Sequence, residues 1–449
     1  MSTLKPEQQG PGLVARFGAA VQDLTGRDAA AARRLLLLGL RAQRARLTLA
    51  PDRRLTPARR YAARAAMDAM VRPLARGGRS AIVNVFLPCE LLQAFGVAPL
   101  FAEGLSCYLN GARAEKFFLH RAEEGGVSPN FCSYHKALLG AGFSGLLPRP
   151  LFTACTSLAC DANNLTFRRL AEEFGVPAFY IDVPYTRDEA AVREVADRLR
   201  EFAEFLSLRT GRRLNEDALR AAVARSGRTL DLLARARAAL AGKVLPGDVV
   251  SASYEVFVAH TMLGTPAAER YARQLLQDAR APRYARADAD SLRLVWAHTI
   301  PFYQPPVQRA LDFAPGAHLA ACEMSADTQG LVMDPDHPYE SMARRLVYNS
   351  FNGGAGHRID RLLELCRQQQ ADGLIYFCHW GCKGTQGAAQ LVRSRLEEAG
   401  YPVLLLDGDG CDRANASDGQ TATRLEAFLE MLAAARRERA GHTGKEAGA

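Results

Sequence analysis

The chain has 449 residues, 48% hydrophobic and 23% charged, with a net charge of +9. That length exceeds one ordinary core and points to two large domains plus a smaller element, in a composition typical of soluble globular proteins. No apolar run is long enough to span a bilayer, since LLLLGL at Leu35–Leu40 is short and flanked by arginines.

The opening MSTLKPEQQGPG shows no signal-peptide pattern, so the expected location is the cytoplasm, where thiols stay reduced. Residues 1–12 and 441–449 read as disordered polar tails. Residues 13–76 read as helices broken at Pro51 and Pro57, and they are dense in arginine, including Arg33, Arg34, Arg41, Arg44, Arg46, Arg59, Arg60 and Arg64. Without a zinc finger, an RNA-binding signature or aromatics among the basic residues, this is a solvated helical face, and no nucleic-acid or membrane partner is expected. At Ser80 the texture changes. SAIVNVFLP, VAPLFAE, LFTACTS and PAFYIDVP read as strands, with ELLQAFG as a helical turn and a helix starting near Asp161. Residues 187–280 read as a long helical stretch divided by Gly211, Gly227, Gly242 and Pro246. Strands return at Leu292–Ala297, Ala317–Glu323 and GLIYFC. A helix in GTQGAAQLVRSRLEEAG, the strand PVLLLD and a closing helix complete a β-α-β-α unit that implies a parallel sheet. The expected fold is α/β. It has a helical element at 1–79, a first α/β domain with a helical extension at 80–245, a second at 246–440 and a tail at 441–449.

The cysteines carry the chemistry. Cys155 and Cys160 lie in CTSLACD, Cys378 and Cys382 in FCHWGCKGTQGA, and Cys411 in LLLDGDGCD, each where a strand feeds a helix or loop. In α/β proteins ligands bind at that carboxyl edge. A helix N-terminus there favours thiolate, and glycines let the backbone approach a bulky group. Cys132 sits alone in PNFCSYHKALLG. The spacings match neither zinc knuckles nor a bacterial ferredoxin run. Thiolates from two domains meeting in one cleft suit an iron–sulfur cluster. Cys366, Cys107 and Cys322 read as inert buried cysteines.

PCELLQAFGVAPL, the Cys132 segment, CDANNLTFRRL and GCKGTQGAAQL…DGDGCDRANASDGQTATRLEAFLEML resemble, in order over about Ser80 to Leu432, the 2-hydroxyacyl-CoA dehydratase / benzoyl-CoA reductase family. The resemblance implies two flavodoxin-like domains, an oxygen-sensitive iron–sulfur cluster between them, and low-potential electrons from an ATP-dependent activator. It maps three cluster cysteines onto Cys132, Cys160 and Cys382. Cys155, Cys378 and Cys411 would be a second set of three, which resembles the double-cubane (8Fe-9S) branch of single-subunit homodimeric reductases. The alternative is a dehydratase subunit with one 4Fe-4S cluster, an acyl-CoA substrate and a different partner subunit. A non-catalytic metal-binding protein is the reading from another class.

Four further residues are candidates for catalysis. His379 relays protons, Lys383 offsets cluster charge, His135 lies one helical turn beyond Cys132, and Glu90 is an acid/base or a helix N-terminal carboxylate. Asp161 and Asp412 are expected to cap the helices that follow them. No complete nucleotide-binding loop is present, so ATP is expected to be hydrolysed by a separate partner, with the Arg59–Arg60 face as one docking surface.

Overall fold

In a computed structural model of the chain, residues 12–288, 290–328 and 330–446 are described, with side chains up to Arg439. Three helices open the fold: α1 (Leu13–Thr25), α2 (Ala29–Leu49) and α3 (Pro57–Ala75). Asp28 and Thr56 start the second and third by accepting the Ala31 and Arg59 N–H groups, with Pro57 in the first turn. The α3 face carrying Ala62, Ala66, Met67 and Met70 is buried. Arg59 lies on that buried side. Its Nη1 donates to the carbonyls of Leu245 (3.2 Å) and Pro246 (2.7 Å), so it is not part of an exposed docking face.

The first sheet holds β1 (Ser80–Val83), β2 (Ala98–Phe101), β3 (Thr153–Thr156) and β4 (Ala178–Ile181). Between and after them come α4 (Cys89–Phe95), α5 (Ala102–Gly111), α6 (Glu115–Glu124), α7 (Ser133–Phe143) and α8 (Ala162–Phe174). The helical stretch resolves into α9 (Glu189–Thr210), α10 (Glu216–Ala239), α11 (Val249–Ala259) and α12 (Pro266–Arg280). A two-stranded antiparallel ribbon of β5 (Lys243–Val244) and β6 (Arg286–Ala287) accompanies it. The second sheet holds β7 (Leu292–Ala297), β8 (Ala317–Cys322), β9 (Gly373–His379) and β10 (Val403–Gly408). Its helices are α13 (Pro305–Leu311), α14 (Pro338–Val347), α15 (Ala355–Gln369), α16 (Lys383–Glu398) and α17 (Asp418–Glu446). The last helix therefore runs through most of the segment read as a disordered tail. Residues 1–11 and 447–449 lie outside the described residues.

Both sheets are parallel. The first has the order β2-β1-β3-β4 and the second β8-β7-β9-β10. In each, the first strand is central, the second flanks it on one side, and the third and fourth follow on the other. This is the flavodoxin-like order as far as its fourth strand, and each sheet has a switch point where its first and third strands part. The two halves are not separate in packing. Met342, Ala343, Leu346 and Val347 of α14 join the core of the first sheet, although they follow β8 in the chain. The buried Glu90–Arg345 pair ties α14 to α4, with Arg345 Nη2 donating to Glu90 Oε2 at 2.8 Å. Among the described residues no helix is long and apolar enough to cross a membrane.

Candidate iron–sulfur site

Both switch points carry reactive side chains. After β3, the turn to α8 passes through Ala159 in the left-handed region (φ +67°) and delivers Cys160. After β9, Gly381 (φ +77°) turns the chain so that Cys382 becomes the residue before α16. After β7 comes His298, a non-glycine residue at φ +74°. Cys132 directly precedes α7. These loops touch. A Cβ on Gly381 would lie 2.8 Å from Cys132 N and 2.9 Å from Asn130 O, and one on Gly384 would lie 3.8 Å from Ala159 O. The thiols feel one another electrostatically. Burial first, then Cys160 and Cys382, push the Cys132 thiol well above its ordinary value. Burial and Cys382 push Cys160 up to about 12.

Each of the three sulfurs faces a different imidazole. Cys132 Sγ lies 3.2 Å from His379 Nε2, Cys160 Sγ 3.4 Å from His135 Nε2, and Cys382 Sγ 3.9 Å from His298 Nε2. Burial lowers the pKa of all three rings, to about 4 for His135 and well below the usual value for His298. His298 keeps its strained backbone because Glu323 Oε2 accepts its N–H at 3.1 Å. Glu323 is in turn gripped by Arg358 through two 2.7 Å hydrogen bonds, and Arg358 also donates to the Tyr376 hydroxyl at 2.9 Å. This buried pair holds the loop after β7 that carries His298.

The other cysteines turn three different ways. Cys378 lies on the opposite face of β9 from His379, packed with Val392 and Leu396 under α16. Cys155 faces the carbonyl of Asn163 on α8 at 3.9 Å, with Cys160 raising its pKa after burial. Cys411 packs with Cys132 and Tyr134, and its thiol points to the Ser106 carbonyl at 3.6 Å. Cys366 is buried within α15.

The acid/base candidates divide as well. His379 and His135 stand against thiols. Glu90 is committed to Arg345 and Ser226, the latter donating at 2.6 Å. Lys383 is exposed at the first position of α16, and Trp380 is 42% exposed. Asp412 caps a short turn by accepting from Ala414 N at 2.9 Å. Asp161 makes no cap hydrogen bond: its own backbone is already helical, which takes its side chain out of capping position. Asp409 holds the DGDGC loop instead, accepting from Cys411 N and Asp412 N (both 2.8 Å) and from Ser133 Oγ.

Three residues of the site were missed in the sequence: His298, Arg358 and Glu103. Glu103, on α5, has a buried Oε2 without a hydrogen-bond partner, and burial raises its pKa to about 7. Its charge raises the pKa of Cys160 and Cys155. The signal available was position, because Glu103 and His298 both follow strands at the carboxyl edge.

The donor set suits a thiolate-held cluster. Among the described residues no three Cys, His, Asp or Glu side chains close around one point as a single-ion site requires. Instead, three cysteines sit on loops that touch, and the neighbouring sulfurs disfavour ionisation of Cys132 and Cys160, a cost that a strongly cationic iron–sulfur core would offset.

A family model described as 2-hydroxyglutaryl-CoA dehydratase, D-component, matches residues 84–432. The chain is 22% identical over 389 residues to lactoyl-CoA dehydratase subunit alpha of Anaerotignum propionicum, covering 77% of this chain and 89% of that one. It is 20% identical over 366 residues to the (R)-phenyllactyl-CoA dehydratase alpha subunit of Clostridium sporogenes, covering 77% and 88%. It is also 22% identical over 389 residues to one of the subunits of benzoyl-CoA reductase from Thauera aromatica, covering 78% and 88%.

Proposed function

The chain belongs to the 2-hydroxyglutaryl-CoA dehydratase D-component family, and from that premise we propose that it is the iron–sulfur subunit of an enzyme that dehydrates or reduces an acyl-CoA. The observation that supports this reading is that the loops carrying Cys132, Cys160 and Cys382 touch, each sulfur against its own imidazole. These three would hold a 4Fe-4S cluster, which supplies single-electron transfer at low potential when bound. Cys132 is buried, whereas Cys160 and Cys382 are half-buried at the edge of exposed loops. Glu103 holds a proton near neutral pH at an oxygen without a partner, as an acid/base that serves a substrate must. Arg358, the residue that steadies Glu323, is kept charged despite its burial by Glu323 and lies within electrostatic reach of Cys382.

Relatives named as alpha subunits support a second subunit as partner. An ATP-hydrolysing activator is the proposed electron source, since this chain shows no nucleotide loop.

The double cubane remains as a second reading because Cys155 lies close to Cys160, and Cys411 packs with Cys132. Against it, Cys378 faces the other side of β9. Iron and sulfide assays on anaerobically purified protein separate the readings. About four irons per chain support the single cluster, about eight the double one. A colourless protein without iron overturns both and leaves the non-catalytic reading.

A further inference from the structure

The three imidazoles are arranged too similarly to be packing residues. Each turns Nε2 toward one sulfur and anchors Nδ1 elsewhere. His379 Nδ1 accepts the Gly410 N–H at 3.0 Å, His135 Nδ1 meets Thr166 Oγ1 at 2.9 Å, and His298 Nδ1 meets Thr299 Oγ1 at 3.2 Å. For His379 the anchor decides the tautomer. A neutral ring whose Nδ1 accepts must carry its proton on Nε2, so it donates to Cys132 Sγ. In the other two the partner at Nδ1 is a threonine hydroxyl, which can donate to it and so permits the same tautomer. The rings of His135 and His379 are buried and His298 is half-buried; His379 lies near-parallel to His298, with centroids 6.4 Å apart.

We propose that His379, His135 and His298 form a shell of N–H donors, one for each of Cys132, Cys160 and Cys382, which raises the reduction potential of the group these cysteines hold. The inference rests on the cluster reading above. The three are positioning residues, since each acts through a sulfur ligand. The physical reason is electrostatic. An N–H dipole aimed at a ligand sulfur stabilises the added electron of the reduced state more than it stabilises the oxidised state.

The test is a redox titration of the anaerobically purified full chain, monitored by electron paramagnetic resonance, with iron and sulfide counted in the same samples. The variants are His379→Leu, His379→Gln, His135→Leu and His298→Leu. The leucine variants remove the donor, whereas the glutamine restores an N–H. The expected result is that the leucine variants retain iron and shift the midpoint potential to more negative values, with His379→Gln returning toward wild type. Iron lost in His379→Leu but kept in His379→Gln also supports the donor role. Leucine variants that keep iron with unmoved midpoints overturn the proposal and leave the cluster reading standing. Wild-type protein without iron overturns the cluster reading, and this proposal with it.

Discussion

Gly381 rests directly on the backbone of Cys132: the space a methyl group would need there is already occupied by Cys132 N, Cys132 Cα and Asn130 O, all within 2.9 Å. The same glycine has φ +77°. One residue thus satisfies two requirements, a left-handed turn after β9 and contact between the loops of Cys382 and Cys132. Gly381→Ala is expected to cost about 1–2 kcal/mol from the backbone alone, with the clash in addition. Its thermal midpoint and iron content should both fall. Wild-type values for both would show that the loops do not need this contact.

Cysteine replacements should sort by placement. Cys132→Ala, Cys160→Ala and Cys382→Ala are each expected to lose most of the iron, because a methyl group cannot replace a thiolate ligand. Cys366→Ala and Cys378→Ala should keep it, since those thiols are buried among apolar residues. Anaerobic iron assays decide the matter, and iron loss in Cys378→Ala would revive the six-thiolate reading.

The Glu90–Arg345 pair is fully enclosed, so removing one partner strands the other. Arg345→Met is expected to destabilise the chain by about 3–5 kcal/mol in denaturant titration. Burial alone would raise the Glu90 pKa, but the charge and hydrogen bonds of Arg345, with Ser226, hold it below the ordinary 4.5. The unfolded chain then binds the proton more readily. The contribution is therefore complete above the ordinary value and is lost as pH falls through the lower folded one. Arg345→Met should remove that acid-side dependence, and an unchanged acid limb would contradict the assignment.

Glu103 should act in the opposite direction. Its folded pKa is about 7 against an ordinary 4.5, so the folded chain holds a proton that the unfolded chain has released. Stability is expected to fall as pH rises from about 4.5 to about 7, by at most about 3 kcal/mol. Glu103→Gln should flatten that slope when urea midpoints are compared at the two ends of the range. Parallel slopes in wild type and variant would place the Glu103 pKa near its ordinary value.

The strands were legible because their cores are plain. Leu292–Ala297 and Gly373–His379 are short apolar runs, each followed by a turn. The helices α5 to α7 were not. In α7, SYHKALLGAGF spends helix propensity on glycines, and one of them explains why: a Cβ on Gly140 would lie 1.8 Å from the Phe118 carbonyl of α6. Close helix packing outweighed local preference there. Arg59 was misplaced for a related reason. Its charge suggests solvent, but the buried stripe of α3 includes it, and carbonyls of a distant loop satisfy it.

By itself the sequence determined the alternation of strands and helices, the placing of cysteines at strand ends and the family. Those properties are local, or are shared in order along the chain. Only the tertiary structure decided which imidazole each of these thiols faces. Cys378 and His379 are neighbours in the chain, yet a strand sends them to opposite faces. His379 instead meets Cys132 across 247 residues, and His298 meets Cys382 across 84. Such pairings depend on how loops from the two halves meet, and on turns such as those at Ala159 and Gly381 that aim the chain after each strand.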